Sequence, residues 1–404
     1  MLSFNAYQED SRPATPEEVD RLFEQFCLSQ ELLWDPVANN YSKKLRGTSV
    51  YNYVYRTLSQ DRRVTKLLTL WQNIGNLRGP HELSNLALWT TYSLHLNGRE
   101  KTESILENYL NSETVEVHVT IWCGGLTVPK SVKLENGCQI VSVEDFMWTP
   151  HTYLHRYSNN RHPASCVITK ACTILKSSEE SDPWSGIDQI SEVSKEVQAV
   201  SSILNLCGLL CVPIMQSTYL HPDTPTGFFG GSGFSSNSDH FFSASSVYVL
   251  ESSKTAKIEK WLSVYTSKSS EEQGRIDRMI KRVMDSKRTS SYEDKILDLG
   301  IALEMLLLSD LPNDQLSQTL RIRGSKILNT DLVTTKDNYT TIGKIYTYRS
   351  KVAHSGEIKK MGKKDKLTIE YLYDHLTEYY QLVEDIFYAV LSKDSIDWKD
   401  IMLG

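Results

Sequence analysis

Two side chains near residue 350 have the chemistry and the spacing to act on phosphate. Arg349 is followed directly by Ser350, and His354 comes after four intervening residues. Arginine is a permanent planar cation that can bind two phosphate oxygens at once. Histidine can give or take a proton near neutral pH. The pair could therefore hold a phosphate and move a proton to or from it.

The local pattern predicts a helix that stops just past the histidine. A helical pattern covers residues 338–351, and Gly356 supplies the stop signal. On a continuous helix, five positions correspond to a rotation of about 140° around the axis. We therefore expect the helix to end near His354, which would let the imidazole turn back towards the Arg349 guanidinium.

This segment resembles the RNase motif of HEPN domains, in which an arginine and a polar residue precede a histidine by a short spacer. The run Tyr-x-Tyr-Arg-Ser-Lys-x-x-His-Ser-Gly is most similar to the Apea-like HEPN group. Two upstream stretches, Ala302–Leu307 and Leu320–Arg323, resemble that group in the same order. The resemblance covers roughly residues 270–395, and nothing comparable occurs in the first 250 residues.

The resemblance implies an all-α bundle that cleaves RNA without a metal or cofactor. The 2′-OH of the substrate would attack the adjacent phosphate and leave a 2′,3′-cyclic phosphate. His354 would act as acid or base, and Arg349 would stabilise charge on the phosphorane. HEPN nucleases typically combine two copies of the motif, so a homodimer through the C-terminal bundle is expected. Many relatives are toxins or antiphage effectors, which implies such a role by analogy.

Two more residues are candidates for the catalytic site. Ser350 occupies the polar position beside the arginine, where it could hydrogen-bond the substrate or hold the helix end. Glu304 lies in an apolar run, so its carboxylate either occupies a solvated face or is buried and paired. The resemblance places an acidic residue of this helix near the Arg/His site, which adds Glu304 to the catalytic candidates.

Basic residues around the motif could bind RNA, although the whole chain carries a net charge of −6. A local positive excess attracts a polyanion. Each of these side chains could equally be plain solvated surface. The candidate RNA-binding residues are Arg321, Arg323, Lys351, Lys359, Lys360, Lys363 and Lys364.

Alternatives to the nuclease remain open at this stage. Arg349 could be an exposed helix-end arginine, and His354 a histidine favoured by the helix dipole. The protein could be a non-catalytic HEPN scaffold that binds a nucleotide or a partner. It could also be a binding module whose activity lies in the N-terminal region. An intact Arg349/His354 pair favours the nuclease over the scaffold.

Length and composition place the chain among ordinary globular proteins of two or three domains, with 404 residues, 40% apolar and 23% charged. The N-terminus lacks the features of a signal peptide. The longest apolar run, 203–214, is interrupted and too short for a bilayer. These features predict a cytoplasmic protein with no membrane partner.

Cysteine spacing predicts reduced thiols and no metal site. The odd number of cysteines includes no C-x-x-C pair. Cys207 and Cys211 lie about one helical turn apart, which is typical of two buried core thiols. The cysteines are Cys27, Cys123, Cys138, Cys166, Cys172, Cys207 and Cys211.

The predicted fold class is α+β. We expect an α+β N-terminal region over 1–250, with a sensor or regulatory part and a possible sub-boundary near 114, followed by a helical bundle over 251–404. Alternation over Val115–Ile121, the turn signal Asn136-Gly137 and the run Cys166–Leu175 predict strands. Residues 240–250 are expected to form a last strand.

Helical periodicity predicts the remaining elements. A capping signal at Thr15 predicts an early helix. Tyr51, Tyr53 and Tyr55 suggest either packing or nucleic-acid stacking. The glycine-rich stretch 227–233 lacks the residues of a phosphate-binding loop and predicts a surface loop. The predicted helices cover 49–76, 81–96, 186–210, 255–265, 271–287, 292–309, 314–328, 338–353 and 368–392.

Overall fold

The computed structural model describes residues 49–74, 77–147, 164–178, 187–221, 223–225, 231–235, 248–310, 316–358 and 368–403. The chain divides into two compact units. The first comprises 1–122, 136–197 and 213–240, and the second comprises 123–135, 198–212 and 241–404. Both strands and helices are present, which confirms the α+β class. The expectations for Thr15 and Cys27 lie outside the described residues, as does most of 227–233.

The division differs from the predicted boundary at residue 250. The main segment of the second unit starts at 241, and two short segments of the predicted N-terminal region, 123–135 and 198–212, also belong to this unit. Such short segments show no change in composition relative to their neighbours along the chain. The sequence alone therefore could not assign them to the second unit.

The described strands are β1 Trp71–Ile74, β2 Leu77–Pro80, β3 Thr114–Gly124, β4 Leu126–Thr127, β5 Val132–Lys133, β6 Gln139–Ser142, β7 Cys166–Leu175, β8 Ser177–Ser178, β9 Val212–Leu220, β10 Gly231–Ser235 and β11 Tyr248–Val249. The predicted strands at 115–121 and 166–175 are confirmed as β3 and β7. The predicted turn is confirmed by Gly137, which has a φ of 85°. Only the end of the expected strand at 240–250 is described, and Tyr248–Val249 within it form β11.

The described helices are α1 Ser49–Gln60, α2 Arg62–Leu67, α3 Leu83–Asn111, α4 Ile187–Leu206, α5 Thr255–Thr266, α6 Ser270–Arg288, α7 Tyr292–Leu307, α8 Leu316–Lys326, α9 Leu332–Ser355, α10 Ile369–Leu391 and α11 Trp398–Leu403. The six helices predicted after residue 254 are confirmed as α5 to α10. Helix α9 begins six residues earlier than predicted because Asp331 caps it, accepting hydrogen bonds from the amides of Val333 and Thr334.

The first unit contains a sheet and a small group of helices. Strands β10, β9, β3, β7 and β6 follow one another in that order in its main sheet. Helices α1, α2 and α3 share a core of buried residues that includes Tyr51, Val54, Leu58, Leu86 and Leu106. The sheet and the helices therefore each bury apolar side chains within this unit.

One helix predicted in the first unit extends too far, and another ends close to where it was predicted to end. Residues 71–74 form β1 rather than a helix, because they pair with β2 and β8 in a ladder that local periodicity cannot reveal. The helix predicted over 81–96 is confirmed as the first part of α3, which begins at Leu83. At Gly98 the backbone is not helical, with a φ of 71°, and a second helical part then continues to Asn111.

The tyrosines at 51, 53 and 55 lie on α1 and do not form a stacking row. Tyr51 is buried in the core, whereas Tyr55 is exposed. Because each residue of a helix is rotated by about 100° from the previous one, positions two apart lie on different sides. Packing explains Tyr51 without a nucleic-acid contact.

Helix α7 is the central helix of the C-terminal bundle. It packs against α6, α9 and α10. Its inward positions include Ile296, Leu299, Leu303 and Leu306, which are fully or nearly fully buried. Within the described ranges, no helix is long and apolar enough to cross a membrane.

A buried ion pair ties helices of the second unit together. Lys287 of α6 donates hydrogen bonds to Glu384 Oε1 of α10 at 3.1 Å and to the carbonyl oxygens of Asn205 at 2.6 Å and Leu209 at 3.1 Å. Lys257 Nζ reaches the second carboxylate oxygen at 3.3 Å. Burial lowers the pKa of Lys287, against the effect of Glu384. Buried charges need ion-pair and hydrogen-bond partners that offset the cost of losing their hydration.

We expect Lys287→Met to lower the free energy of unfolding by about 3–5 kcal/mol, because it leaves Glu384 buried without its main partner. Lys281→Met, which removes an exposed lysine of the same helix, should change it by less than about 0.5 kcal/mol. The double variant Lys287→Met/Glu384→Leu should recover much of the loss. Urea denaturation measures all three, and equal stability of Lys287→Met and the parent would contradict the prediction.

Candidate functional site

The C-terminal end of α9 carries the predicted arginine–histidine motif. Gly356 caps the helix in the left-handed conformation, with a φ of 74°, and its amide donates to the Val352 carbonyl at 2.8 Å. Ser355 Oγ lies 2.8 Å from the carbonyl oxygens of Lys351 and Glu357. The stop predicted from the glycine is confirmed, and His354 occupies the last, exposed turn.

The helix remains regular through the histidine. It includes Ser355, one residue beyond His354. Arg349 and His354 therefore stay about 140° apart around α9 and about 7.5 Å apart along its axis. The helix ends near His354 as expected, but His354 still has a helical backbone, so the chain itself does not bring the imidazole back towards the Arg349 guanidinium. One copy of the helix directs the two groups to different sides.

Arg349 lies where α9 packs tightly against α7 at Gly300. A Cβ placed on Gly300 would be 2.7 Å from both Cβ and Cγ of Arg349. The stem of the arginine thus lies across a glycine, and any larger residue would displace it. Sequence reasoning missed Gly300, although a glycine inside an apolar helical run is a signal of close packing.

Glu304 holds the far end of the same arginine. It lies one turn after Gly300 on α7, and its Oε2 accepts a hydrogen bond from Arg349 Nη2 at 2.7 Å. Both side chains are half-buried. Burial raises the pKa of Glu304, and the Arg349 guanidinium offsets part of that rise. Glu304 is therefore a half-buried, paired carboxylate, which decides between the two possibilities that the sequence left open.

The arginine keeps donors that this pair does not use. Its Nε is buried and has no hydrogen-bond partner among the described residues. A guanidinium has five N–H donors in a fixed plane. Arg349 is thus a cation of fixed position; because Nε is buried and Glu304 accepts from Nη2, an anion would be bound by the other Nη hydrogens. Ser350 and Lys351, which follow it on α9, are half-buried.

Arg323 is a correction to the candidate RNA-binding residues. It is only 3% exposed. Its guanidinium donates to the Leu307 carbonyl at 2.7 Å, pairs with both carboxylate oxygens of Asp310, and lies 4.6 Å from the ring centre of Trp398. This arginine closes the C-terminal end of α7, so it is not available to RNA. The sequence could not distinguish it from Arg321 because both lie in one charged helix.

Arg321 lies in a different environment on the same helix. Its guanidinium carbon is 5.6 Å from the ring centre of Tyr339 and would be 2.7 Å from a Cβ placed on Gly343. Its Nε is buried without a hydrogen-bond partner among the described residues. The two candidate arginines of α8 therefore have different roles. Lys359, Lys360, Lys363 and Lys364 lie outside the described residues.

The cysteines that the structure describes lie apart from the arginine–histidine motif. Of the described cysteines, Cys172 is half-buried and the other five are buried. No cluster of three or more His, Cys, Asp or Glu side chains in the described part of the chain could hold a metal ion. Burial raises the pKa of Cys207 to about 12, as expected for a thiol packed in a core.

Comparison with protein-family models, with curated proteins and with solved structures finds no match for this chain. The likeness to HEPN domains therefore rests on the motif and on the order of the helices described above. Its functional meaning has to be argued from the geometry of the site.

We expect Gly300→Ala to lower the free energy of unfolding by about 1–3 kcal/mol, because the added methyl group overlaps the Arg349 side chain. Gly274→Ala is the matched control, since a Cβ there meets no atom within 4 Å. It should stabilise the protein by about 0.5–1 kcal/mol through helix propensity. Chemical denaturation compares them, and similar effects of the two variants would disprove the close contact.

The Arg323–Asp310 pair predicts a dependence on pH. The hydrogen bond from Arg323 holds the pKa of Asp310 below its usual value. Because the folded-state pKa lies below the unfolded value of about 3.9, ionised Asp310 stabilises the protein above that pH and less as pH falls through the folded pKa. Asp310→Asn should lower the free energy of unfolding by about 0.5–1.5 kcal/mol at pH 7, because Arg323 loses its ionised partner while solvent screens the half-exposed carboxylate.

This difference between Asp310→Asn and the parent should narrow below about pH 4, where the parent carboxylate is protonated in the unfolded state. Urea denaturation at several pH values measures it. The control is Asp374→Asn, an exposed aspartate of α10. A difference that stays constant from neutral to acidic pH would show that the ion pair is not its cause.

Proposed function

We propose that the C-terminal bundle is one half of a metal-independent RNA-cleaving site of the HEPN type. The observation that carries this proposal is the arrangement of Arg349. Gly300 and Glu304 of α7 fix its position, and an exposed histidine follows on the same helix. A fixed cation beside an accessible acid–base group is what RNA cleavage by internal attack requires.

Each group of the site has a role in that reaction. The 2′-OH loses its proton as its oxygen attacks the neighbouring phosphorus, and the 5′ oxygen leaves with a proton. His354 gives or takes one of these protons. Arg349 stabilises the negative charge of the phosphorane through donors that Glu304 leaves free. Ser350, the next residue on α9, hydrogen-bonds the substrate. The products are a 2′,3′-cyclic phosphate and a 5′-OH.

The geometry also supports a homodimer. Two proton transfers are needed, and one copy offers a single motif histidine. Arg349 and His354 of one helix diverge by about 140°. A second copy that faces the first with the same helix end would supply a second imidazole and a second guanidinium. We therefore propose that RNA binds where two copies of α9 meet. The resemblance to HEPN domains adds a defence or toxin role to the proposed function.

Incubating the full chain with single-stranded RNA in EDTA tests this function. Cleavage should persist, and the products should end in a cyclic phosphate, detectable by mass spectrometry. His354→Ala and Arg349→Ala should each lower the rate at least about a hundredfold, the usual contribution of an acid–base or charge-stabilising group. Arg278→Ala, at an exposed arginine of α6, is the control and should cleave like the parent.

The same assay addresses the dimer and the alternative function. Specific activity should fall when dilution converts the dimer to monomer, with light scattering reporting the mass. If His354→Ala and Arg349→Ala both cleave RNA like the parent, the assignment of nuclease activity to this site is wrong. A folded dimer that cleaves no RNA would instead support a non-catalytic scaffold. In that case the Glu304–Arg349 pair would serve only to join α7 and α9 within one copy.

A further inference from the structure

A groove between α8 and α9 has no role in the chemistry described above. Its volume is about 420 Å³. It belongs to the second unit, and it opens to solvent along the N-terminal half of α9. The residues that line it include Ile322, Ser325 and Lys326 from α8 and Thr335, Lys336 and Tyr339 from α9.

The charge of this groove is positive. Its two charged lining residues are Lys326 and Lys336, and the Arg321 guanidinium lies beside Tyr339. Lys326 donates to the Met402 carbonyl at 2.9 Å, which fixes its position and leaves it further donors. The groove therefore combines cations with an aromatic ring and an apolar floor, the combination that binds single-stranded nucleic acid.

Nearby acidic residues do not cancel this charge. Asp331 caps α9, and its carboxylate accepts hydrogen bonds from the Val333 and Thr334 amides and from the Thr334 hydroxyl. Asp337 lies on the same helix but about 160° around the axis from Tyr339. Neither carboxylate lines the groove.

Gly343 accounts for the position of the third cation. A Cβ at this residue would be 2.7 Å from Cζ and Nε of Arg321. The glycine thus lets the guanidinium lie against α9, next to the ring of Tyr339. An arginine over an aromatic face is attracted to it by a cation–π interaction. The sequence resemblance gave no reason for a glycine here.

The groove lies in line with the candidate catalytic histidine. Lys336 and His354 are 18 residues apart on α9 (354 − 336), which is five helical turns and places both on one line about 27 Å apart. At the spacing of about 3.4 Å per nucleotide of a stacked strand, this distance corresponds to roughly eight nucleotides, and to fewer in an extended strand.

We propose that this groove binds the flanking segment of a single-stranded RNA whose scissile phosphate lies at His354. The inference rests on the proposed function and adds a binding subsite to it. Tyr339 stacks on a base, and Lys326 and Lys336 contact phosphates on either side of that base. The site then binds long single strands more tightly than short ones, independently of the cleavage step.

Binding to the His354→Ala variant of the full chain tests this subsite without cleavage. The probes are fluorescently labelled single-stranded RNAs of five and fifteen nucleotides, followed by anisotropy. Adding Lys336→Gln and Tyr339→Leu should weaken binding of the longer RNA at least about tenfold, given the usual strength of base stacking on an aromatic side chain. Its log–log salt slope should flatten by about 0.7 for the lost lysine. The shorter RNA can occupy the groove or the catalytic end but cannot span both, so its binding should weaken by a smaller factor than that of the longer RNA.

Two controls separate binding from folding. Tyr339→Phe keeps the ring and should retain the affinity of the parent. Lys281→Gln removes an exposed lysine of α6 and should leave both affinities unchanged. Equal binding of the longer RNA before and after the groove substitutions overturns the inference, even if the unmodified chain cleaves RNA.

The opposite result distinguishes the two proposals. If the groove variants lose affinity for the longer RNA while the unmodified chain cleaves no RNA, the subsite stands and the proposed nuclease fails. If Tyr339→Phe loses as much affinity as Tyr339→Leu, stacking is not the cause and the inference is wrong. A groove that binds a protein segment instead would leave both RNA affinities unchanged.

Discussion

The contact between Gly300 of α7 and the side chain of Arg349 on α9 is the constraint on which the candidate site depends. Because the glycine has no side chain, the stem of Arg349 lies directly on the backbone of α7. Its guanidinium then reaches Glu304 one turn further along. A guanidinium on a flexible chain loses rotamer entropy when it binds an anion. Here packing and an ion pair have already fixed it, so less entropy is lost on binding.

Position within the bundle decides what each arginine can do. Arg323 and Arg349 both meet a carboxylate at the surface of α7 or just beyond its end. Arg323 uses its donors on Asp310 and a backbone carbonyl and is nearly fully buried. Arg349 uses Nη2 on Glu304 and remains half exposed. The same residue type therefore closes a helix end in one place and presents a cation in the other.

The supporting helices owe their positions to burial of apolar side chains and of one ion pair. Helix α7 is enclosed by α6, α9 and α10, and Lys287 joins α6 to Glu384 of α10. Removing one partner of a buried ion pair lowers the free energy of unfolding far more than replacing both partners by apolar residues. A change at this buried pair can therefore displace α10, and with it the packing of α7 that holds Arg349, without contact with the site.

The sequence by itself determined the elements whose signals are local. Period-two and helical patterns gave β3, β7 and the helices α5 to α10, and Gly356 marked the end of α9. It also identified the motif residues Arg349 and His354, since their types and spacing are written in the chain. These features need only neighbours along the chain, so they can be read without a fold.

Only the tertiary structure decided which residues meet. It paired β1 with β2 and β8, assigned two short N-terminal segments to the second unit, and buried Arg323 while leaving Arg349 half exposed. It also gave Gly300 and Gly343 their meaning, because each matters only through an arginine from another helix. Contacts between residues far apart in sequence depend on how all the helices pack together, and no local pattern encodes that packing.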